Sequence, residues 1–346
     1  MKLVKPIIAP VITKPRRHNA KSHSNGILLP SDRYARSASL AFENGSFAIA
    51  AKSVKSTDKE RAQKNTPCQD TAFVIAKENY LVAGVADGFS TYGHEYSDLI
   101  AKRLLELDLA GMIEESRYGR KTPLSDILLG AIKETAGNVI AEFERSNLDR
   151  SYSGGTTVTL VLVLPNRTYA IAAVGDSDAY FIDRRGWIMR VIESEVLPSS
   201  SFEPDTPSGR FSLTKYLENR SILVHAISRL YGTGLGLGIT LKNGVLAKGE
   251  TLLIATDGLS KNLSIGIVNT EKQGVLAADG CKDLMRLLRR TTETNIQDAL
   301  EHVIKAIRER IQNIRKDRVE FLTGDSQLEV LAPNDDDLTA VMVGVR

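Results

Sequence analysis

Cysteine is nearly missing from this chain of 346 residues, which holds two, Cys68 and Cys281, and five histidines. The two cysteines are far apart and match neither a zinc spacing nor a disulfide framework, a usage that suits a reducing, cytoplasmic setting. Neither is followed by a phosphate-cradling loop ending in arginine, which excludes cysteine-based phosphate chemistry. Long apolar runs are also lacking. The longest clean one, "VTLVLVLP" at 158–165, has the length of a buried strand and is far short of a membrane span. The opening "KLVKPIIAPVITKPRR" is interrupted by Pro6 and Pro10, so it does not form the apolar core of a secretory signal. Acids are nearly absent from residues 1–40, where eight Lys or Arg face Asp32 alone; this +7 within an overall +3 leaves −4 for the remainder. An acidic body argues against a nucleic-acid-binding domain. Residues 1–42 therefore read as a basic, disordered tail and 43–346 as one folded domain.

What is present is ordinary for a globular protein, 42% hydrophobic and 25% charged. Strand-like runs cover 46–54, 71–79 and 80–87, the last two joined by a hairpin turn at Glu78-Asn79. A helix follows, with Tyr96, Ile100, Leu104 and Leu107 on one face; a second runs from Pro123 to Phe143. Four short strands between 156 and 192 read as an antiparallel meander, and 193–221 as a polar surface excursion. "ETLLIATDG" (250–258) is a further strand. The stretch 295–318 is the longest helix, opened by a Thr294/Gln297 capping box, and the chain closes on "DDDLTAVMVGV". The glycine-rich "YGTGLGLG" (231–238) lacks the spacing and preceding strand of a dinucleotide site.

Acids recur at the polar tips of these apolar strands. Asp87 and Asp257 each end one and are followed by glycine, while Asp336 and Asp337 begin another. One such Asp-Gly is ordinarily a turn. Several that converge would repel one another in a low dielectric, and a divalent cation is the usual compensation. Oxygen ligands without Cys or His favour Mg²⁺ or Mn²⁺, and ions so held activate water against phosphate esters. The Asp-x-Asp of "VGDSDAY" would also suit an aspartyl phosphotransferase using Asp176 and Asp178, but that chemistry wants strands alternating with helices, which the meander contradicts.

In order, "PCQDTAFV" (67–74), "VAGVADGFS" (82–90), "SGGTTVTLVLV" (153–163), "AAVGDSDAYFI" (172–182), "LLIATDGLSKNL" (252–263) and "DDDLTAVMVGV" (335–345) resemble the metal-dependent Ser/Thr phosphatases of the PPM family, protein phosphatase type 2C, in a form most like its bacterial branch. The resemblance spans about residues 45–346. It implies an α+β fold, an antiparallel β-sandwich flanked by helices on both faces. It implies hydrolysis of phosphoserine or phosphothreonine in proteins, substrates of a cognate Ser/Thr kinase, by a hydroxide bridging two Mn²⁺ or Mg²⁺ ions, with no nucleic acid or membrane involved. Carried over by motif, Asp87 bridges both ions, the Gly88 carbonyl completes one shell, and Asp257 with Asp336 or its neighbour Asp337 holds the other. Asp70 orients the attacking water, Asp176 binds an additional ion, and Ser153–Thr156 packs backbone. The chain departs from the family at position 65. There Asn65 replaces the usual phosphate-binding arginine, leaving Lys64 as the substitute, and Phe89 stands where some members carry a histidine. His94, nearby in sequence, reads as inert. These departures keep open a second reading, a weak or inactive PPM-fold protein that binds a partner and regulates it.

Overall fold

A computed structural model describes residues 16–18, 21–22, 26–30, 32–44, 46–57, 65–118, 122–145, 154–183, 188–192, 196–197, 222–223, 227–228, 239–259, 295–321 and 336–345. Two seven-stranded sheets face each other. The first runs β1 (Arg16–His18), β4 (Ser37–Asn44), β5 (Phe47–Val54), β19 (Leu338–Val345), β18 (Thr251–Ala255), β12 (Asp178–Ile182) and β13 (Ile188–Ile192). The second runs β17 (Thr240–Val245), β11 (Thr168–Val174), β10 (Val158–Val163), β7 (Leu81–Ala86), β6 (Thr71–Ala76), β3 (Ile27–Leu29) and β2 (Lys21–Ser22). A small sheet joins β16 (Ile227–Ser228), β9 (Gly154–Thr156) and β8 (Gly88–Ser90), and β14 (Val196–Leu197) pairs with β15 (Ile222–Leu223). Every described pairing is antiparallel. Helices α1 (Gly93–Glu106), α2 (Leu109–Tyr118) and α3 (Leu124–Arg145) cover the second sheet, and α4 (Ile296–Phe321) covers the first.

This layering explains why the central strands are apolar at nearly every position: they are buried on both faces. Along β10, Leu160 and Leu162 meet Tyr96, Leu104 and Ile132 of the helices, while Val161 and Val163 meet the opposite sheet. In β18, Leu252 and Ile254 join that inter-sheet core and Leu253 turns outward to Leu300, Val303 and Ile307 of α4. Tyr96 stacks on Phe143 with ring centroids 3.9 Å apart, tying α1 to α3. Among the described residues no helix is long and apolar enough to cross a membrane.

The α+β sandwich with helices on both faces is as expected, but two local readings are corrected. The folded part begins well before residue 43. Strand β3 and most of β4 lie within the supposed tail, with Leu28, Leu29, Ala38 and Leu40 buried, because those short apolar runs pair with β6 and β5. The meander is two hairpins in different sheets. The chain leaves β11 in the second sheet and enters β12 in the first through Gly175-Asp176-Ser177, where Gly175 takes φ 97°, a backbone state that glycine adopts without strain. At the start of α4, Asn295 Oδ1 accepts the Gln297 amide at 2.9 Å. Thr294 of the expected capping box lies outside the described residues, as do "YGTGLGLG" and most of 193–221. The β6–β7 hairpin is closed as expected, by Lys77 N–H donating to Tyr80 O at 2.9 Å.

Candidate metal centre

Each acid reaches the site by a different element. Asp87 follows β7 directly, Asp257 follows β18, Asp176 sits in the crossover between β11 and β12, and Asp336 precedes β19. Carboxylate oxygens of Asp87, Asp176 and Asp257 all lie within 4.8 Å of one another. Burial, then the charges of Asp257, Asp70, Asp176 and Asp336, push the Asp87 carboxyl well above the ordinary carboxylate range. Asp70, 2% exposed, is pushed up likewise by burial and by Asp337, with Asp336 and Asp257 adding to it and a hydrogen bond from Thr256 opposing. Five acids predicted from the sequence, Asp70, Asp87, Asp176, Asp257 and Asp336, thus share one electrostatic neighbourhood. An all-oxygen donor set of crowded, partly buried carboxylates fits a hard divalent cation.

The two glycines after the strand-ending acids are required by close approach of backbone. A Cβ on Gly88 would lie 2.2 Å from the Gly93 carbonyl oxygen, and one on Gly258 would lie 2.0 Å from the Asp337 carbonyl oxygen. The first contact presses the Asp87 corner onto the start of α1; the second presses the Asp257 corner onto the segment that begins β19.

Hydroxyls then fix the corners. The Asp87 carbonyl accepts the Thr157 amide at 2.9 Å and the Thr156 hydroxyl at 3.0 Å, and the Asp87 amide donates to Thr157 Oγ1 at 3.3 Å. Thr157 Oγ1 also pairs with Ser177 Oγ at 2.8 Å, beside Asp176. Thr156, at the end of the "SGGT" stretch, therefore has the backbone-holding role expected of that stretch; Ser153 lies outside the described residues. Thr256 donates to Asp70 Oδ2 at 2.7 Å.

The neighbouring acids Asp336 and Asp337 differ. Asp337, 2% exposed, accepts the Ser56 amide on Oδ1 and the Gln69 amide on Oδ2, each at 2.7 Å, while its own amide donates to Asp336 Oδ1 at 2.8 Å. Asp178, considered as a phosphotransfer acid, is 1% exposed and accepts the Tyr180 hydroxyl at 2.9 Å. Lys64 lies outside the described residues, and Asn65 adopts φ 46°. His94 lies in the first turn of α1 with Nε2 3.9 Å from Glu95, and partial burial holds its pKa below the ordinary imidazole value.

Several residues here were not predicted. The hydroxyls of Ser177 and Thr256 adjoin motif acids in the sequence, and that adjacency was the available signal; Thr157 lies in the "SGGTT" stretch with no acid beside it. Arg33 had none, since it falls in the stretch read as tail. Its guanidinium, 13% exposed, reaches the Cys68 and Asp70 carbonyls and pairs with Asp98 at 2.8 Å. Burial raises the Asp98 pKa, but Arg33 and Lys102 outweigh it and hold the carboxylate below its ordinary value.

Comparison with known proteins agrees with the layered fold. The family profile for protein phosphatase 2C matches residues 57–307, and the chain belongs to that family. Compared by sequence with curated proteins, it matches none. Among solved structures, it resembles the serine/threonine phosphatase of S. agalactiae (17% identity, TM-score 0.55, covering 87% of this chain and 100% of that one). It also resembles the PPM Ser-Thr phosphatase MsPP of Mycobacterium smegmatis in complex with cacodylate (18% identity, TM-score 0.51, 86% and 98%). A third is the catalytic domain of the phosphatase PstP in complex with two manganese ions (15% identity, TM-score 0.51, 87% and 98%). At these identities the likeness concerns the fold.

Proposed function

We propose that this chain is a metal-dependent phosphatase of phosphoserine and phosphothreonine in proteins. The observation that carries the reading is the meeting of Asp87, Asp176 and Asp257 within 4.8 Å at the ends of strands from both sheets. Asp87, Asp257, Asp336 and the Gly88 carbonyl are the groups that would hold two Mn²⁺ or Mg²⁺ ions, with Asp176 at the same cluster available to an additional one. Bound there, the ions supply an activated water at neutral pH and neutralise the phosphoryl oxygens. Asp336 is preferred to Asp337 as ligand because both oxygens of Asp337 already serve backbone amides. Asp70, buried and fixed by Thr256, orients the attacking water. Substrates of a Ser/Thr kinase are the natural partners.

One departure favours a second reading, a partner-binding protein that turns over slowly or not at all. Asn65 stands where the family places its phosphate-binding arginine. The deciding experiment is phosphate release from a phosphothreonine peptide by the purified chain with Mn²⁺, before and after EDTA. Turnover that EDTA abolishes supports the enzyme; absence of turnover from a folded, Mn²⁺-binding sample supports the second reading.

A further inference from the structure

The segment that carries Asp70 is irregular. Residues 65–70 precede β6 and belong to no strand, so their backbone groups lack the ladder bonds that would ordinarily satisfy them. Those of Cys68 and Gln69, with the Asp70 carbonyl, are met one by one by remote parts of the chain. The Cys68 amide donates to the Arg33 carbonyl at 2.7 Å, and the Gln69 amide donates to Asp337 Oδ2 at 2.7 Å. The Cys68 and Asp70 carbonyls accept from Arg33 Nη1 at 3.1 and 2.5 Å, and the Gln69 carbonyl accepts from Ser97 Oγ at 2.5 Å. Arg33 Nη2 adds Thr71 Oγ1 at 2.5 Å and Asp98 at 2.8 Å, and Thr71 Oγ1 donates to Ser97 at 3.0 Å. The other oxygen of Asp337 takes the Ser56 amide, so this one carboxylate fastens both ends of the stretch 56–69.

We propose that Arg33 and Asp337 are positioning residues that brace the Asp70 segment, a cation gathering the Cys68 and Asp70 carbonyls and an anion holding the Gln69 amide. Hydrogen bonds to charged groups are about twice as strong as neutral ones, and a guanidinium offers a fixed fork that one ammonium cannot reproduce. The brace also joins regions far apart in sequence. Arg33 links the β3–β4 connection to α1 through Asp98, and Asp337 links β19 to the end of β5. The inference rests on reading Asp70 as a group that acts on the attacking water.

Arg33→Lys and Asp337→Asn keep size while removing the fork and one acceptor. Amide hydrogen exchange of a peptide spanning 66–72 in the intact protein is expected to rise about tenfold or more at Cys68 and Gln69. Misplacement of a reacting group by about 1 Å costs on the order of a hundredfold, so kcat is expected to fall about ten- to a hundredfold with KM nearly unchanged. In an Asp70→Asn background, Arg33→Lys should add little further loss, because both act through the same carboxylate. Unchanged exchange in both variants, or losses that multiply in the double variant, would overturn the brace. If the wild type releases no phosphate, the enzymatic reading fails while the exchange measurement still decides whether the brace exists.

Discussion

Asp87 and Asp70 are neighbours in space held by opposite means. Asp87 ends a central strand buried on both faces; its carbonyl and amide are fastened by Thr156 and Thr157 of the adjoining stretch, a few ångströms away in the same sheet region. Asp70 lies on irregular backbone, with its carboxylate fixed by Thr256 from the opposite sheet and its peptide groups fixed by Arg33, Ser97 and Asp337. The ladder that places Asp87 has many redundant bonds. The segment that places Asp70 has few, each from a different part of the chain. A site built this way should tolerate lost hydroxyls near Asp87 better than lost contacts around Asp70.

The largest effect should come from the strand-borne acid itself. Asp87→Asn is expected to lower kcat at least about a thousandfold in Mn²⁺-supported phosphate release, since it removes a ligand charge outright. The metal-free protein should keep or gain stability, because one member of a repelling cluster is gone. Next, Gly258→Ala drives a methyl group against the Asp337 carbonyl and should destabilise the chain by about 1–3 kcal/mol in a urea melt; an unchanged midpoint would show that the two segments can part at no cost. Thr256→Val and Thr157→Val then set the two acids against each other. Thr256→Val deprives Asp70 of its side-chain partner and should cost about tenfold in kcat, whereas Thr157→Val leaves the Asp87 carbonyl its two donors and should cost about threefold or less. Equal losses would erase the contrast.

The smallest effect is the pH dependence of the metal-free fold. Asp87 and Asp70 have folded-state pKa values raised by burial and by neighbouring acids, and on unfolding they return to the ordinary carboxylate range. Between that range and the raised values the folded chain binds more protons than the unfolded one, so stability falls as pH rises through the window. Thermal midpoints in EDTA should therefore be higher near about pH 5 than near about pH 8, by a few degrees. Asp87→Asn should flatten that slope, and Mn²⁺ should oppose it by competing with the protons.

The same contrast governs what the sequence disclosed. Strand-borne acids were legible because a buried strand writes a continuous apolar run and its polar tip stands out: Asp87, Asp257 and Asp336 each mark such an end. Helices α1, α3 and α4 were legible from their 3.6-residue spacing. The split of β10–β13 between two sheets was not, because each hairpin is locally identical to part of a meander, and a glycine before an acid reads as a turn whichever sheet the next strand joins. Arg33 was invisible for another reason. Side chains that hold irregular backbone have no period and no fixed spacing from what they hold, and 37 residues separate Arg33 from Asp70. The basic composition of residues 1–40 further disguised strands as short as Ile27–Leu29, whose burial is supplied by partners elsewhere.

The crossover through Gly175-Asp176-Ser177 carries one more consequence. Asp87 belongs to an end of the second sheet and Asp257 to an end of the first, and Asp176 lies on the chain that passes between them. The acids are therefore mounted on two slabs that meet through apolar side chains, connecting segments and, at this end, hydrogen bonds such as Thr256 to Asp70 and the Gln69 amide to Asp337. Sliding one slab past the other would change their spacing directly. A cation shared by Asp87 and Asp257 would act as a rivet against that shear, and a force applied to the outer helices on either side would reach the site as a change in bite, the gap between the two carboxylates, well before it altered any strand.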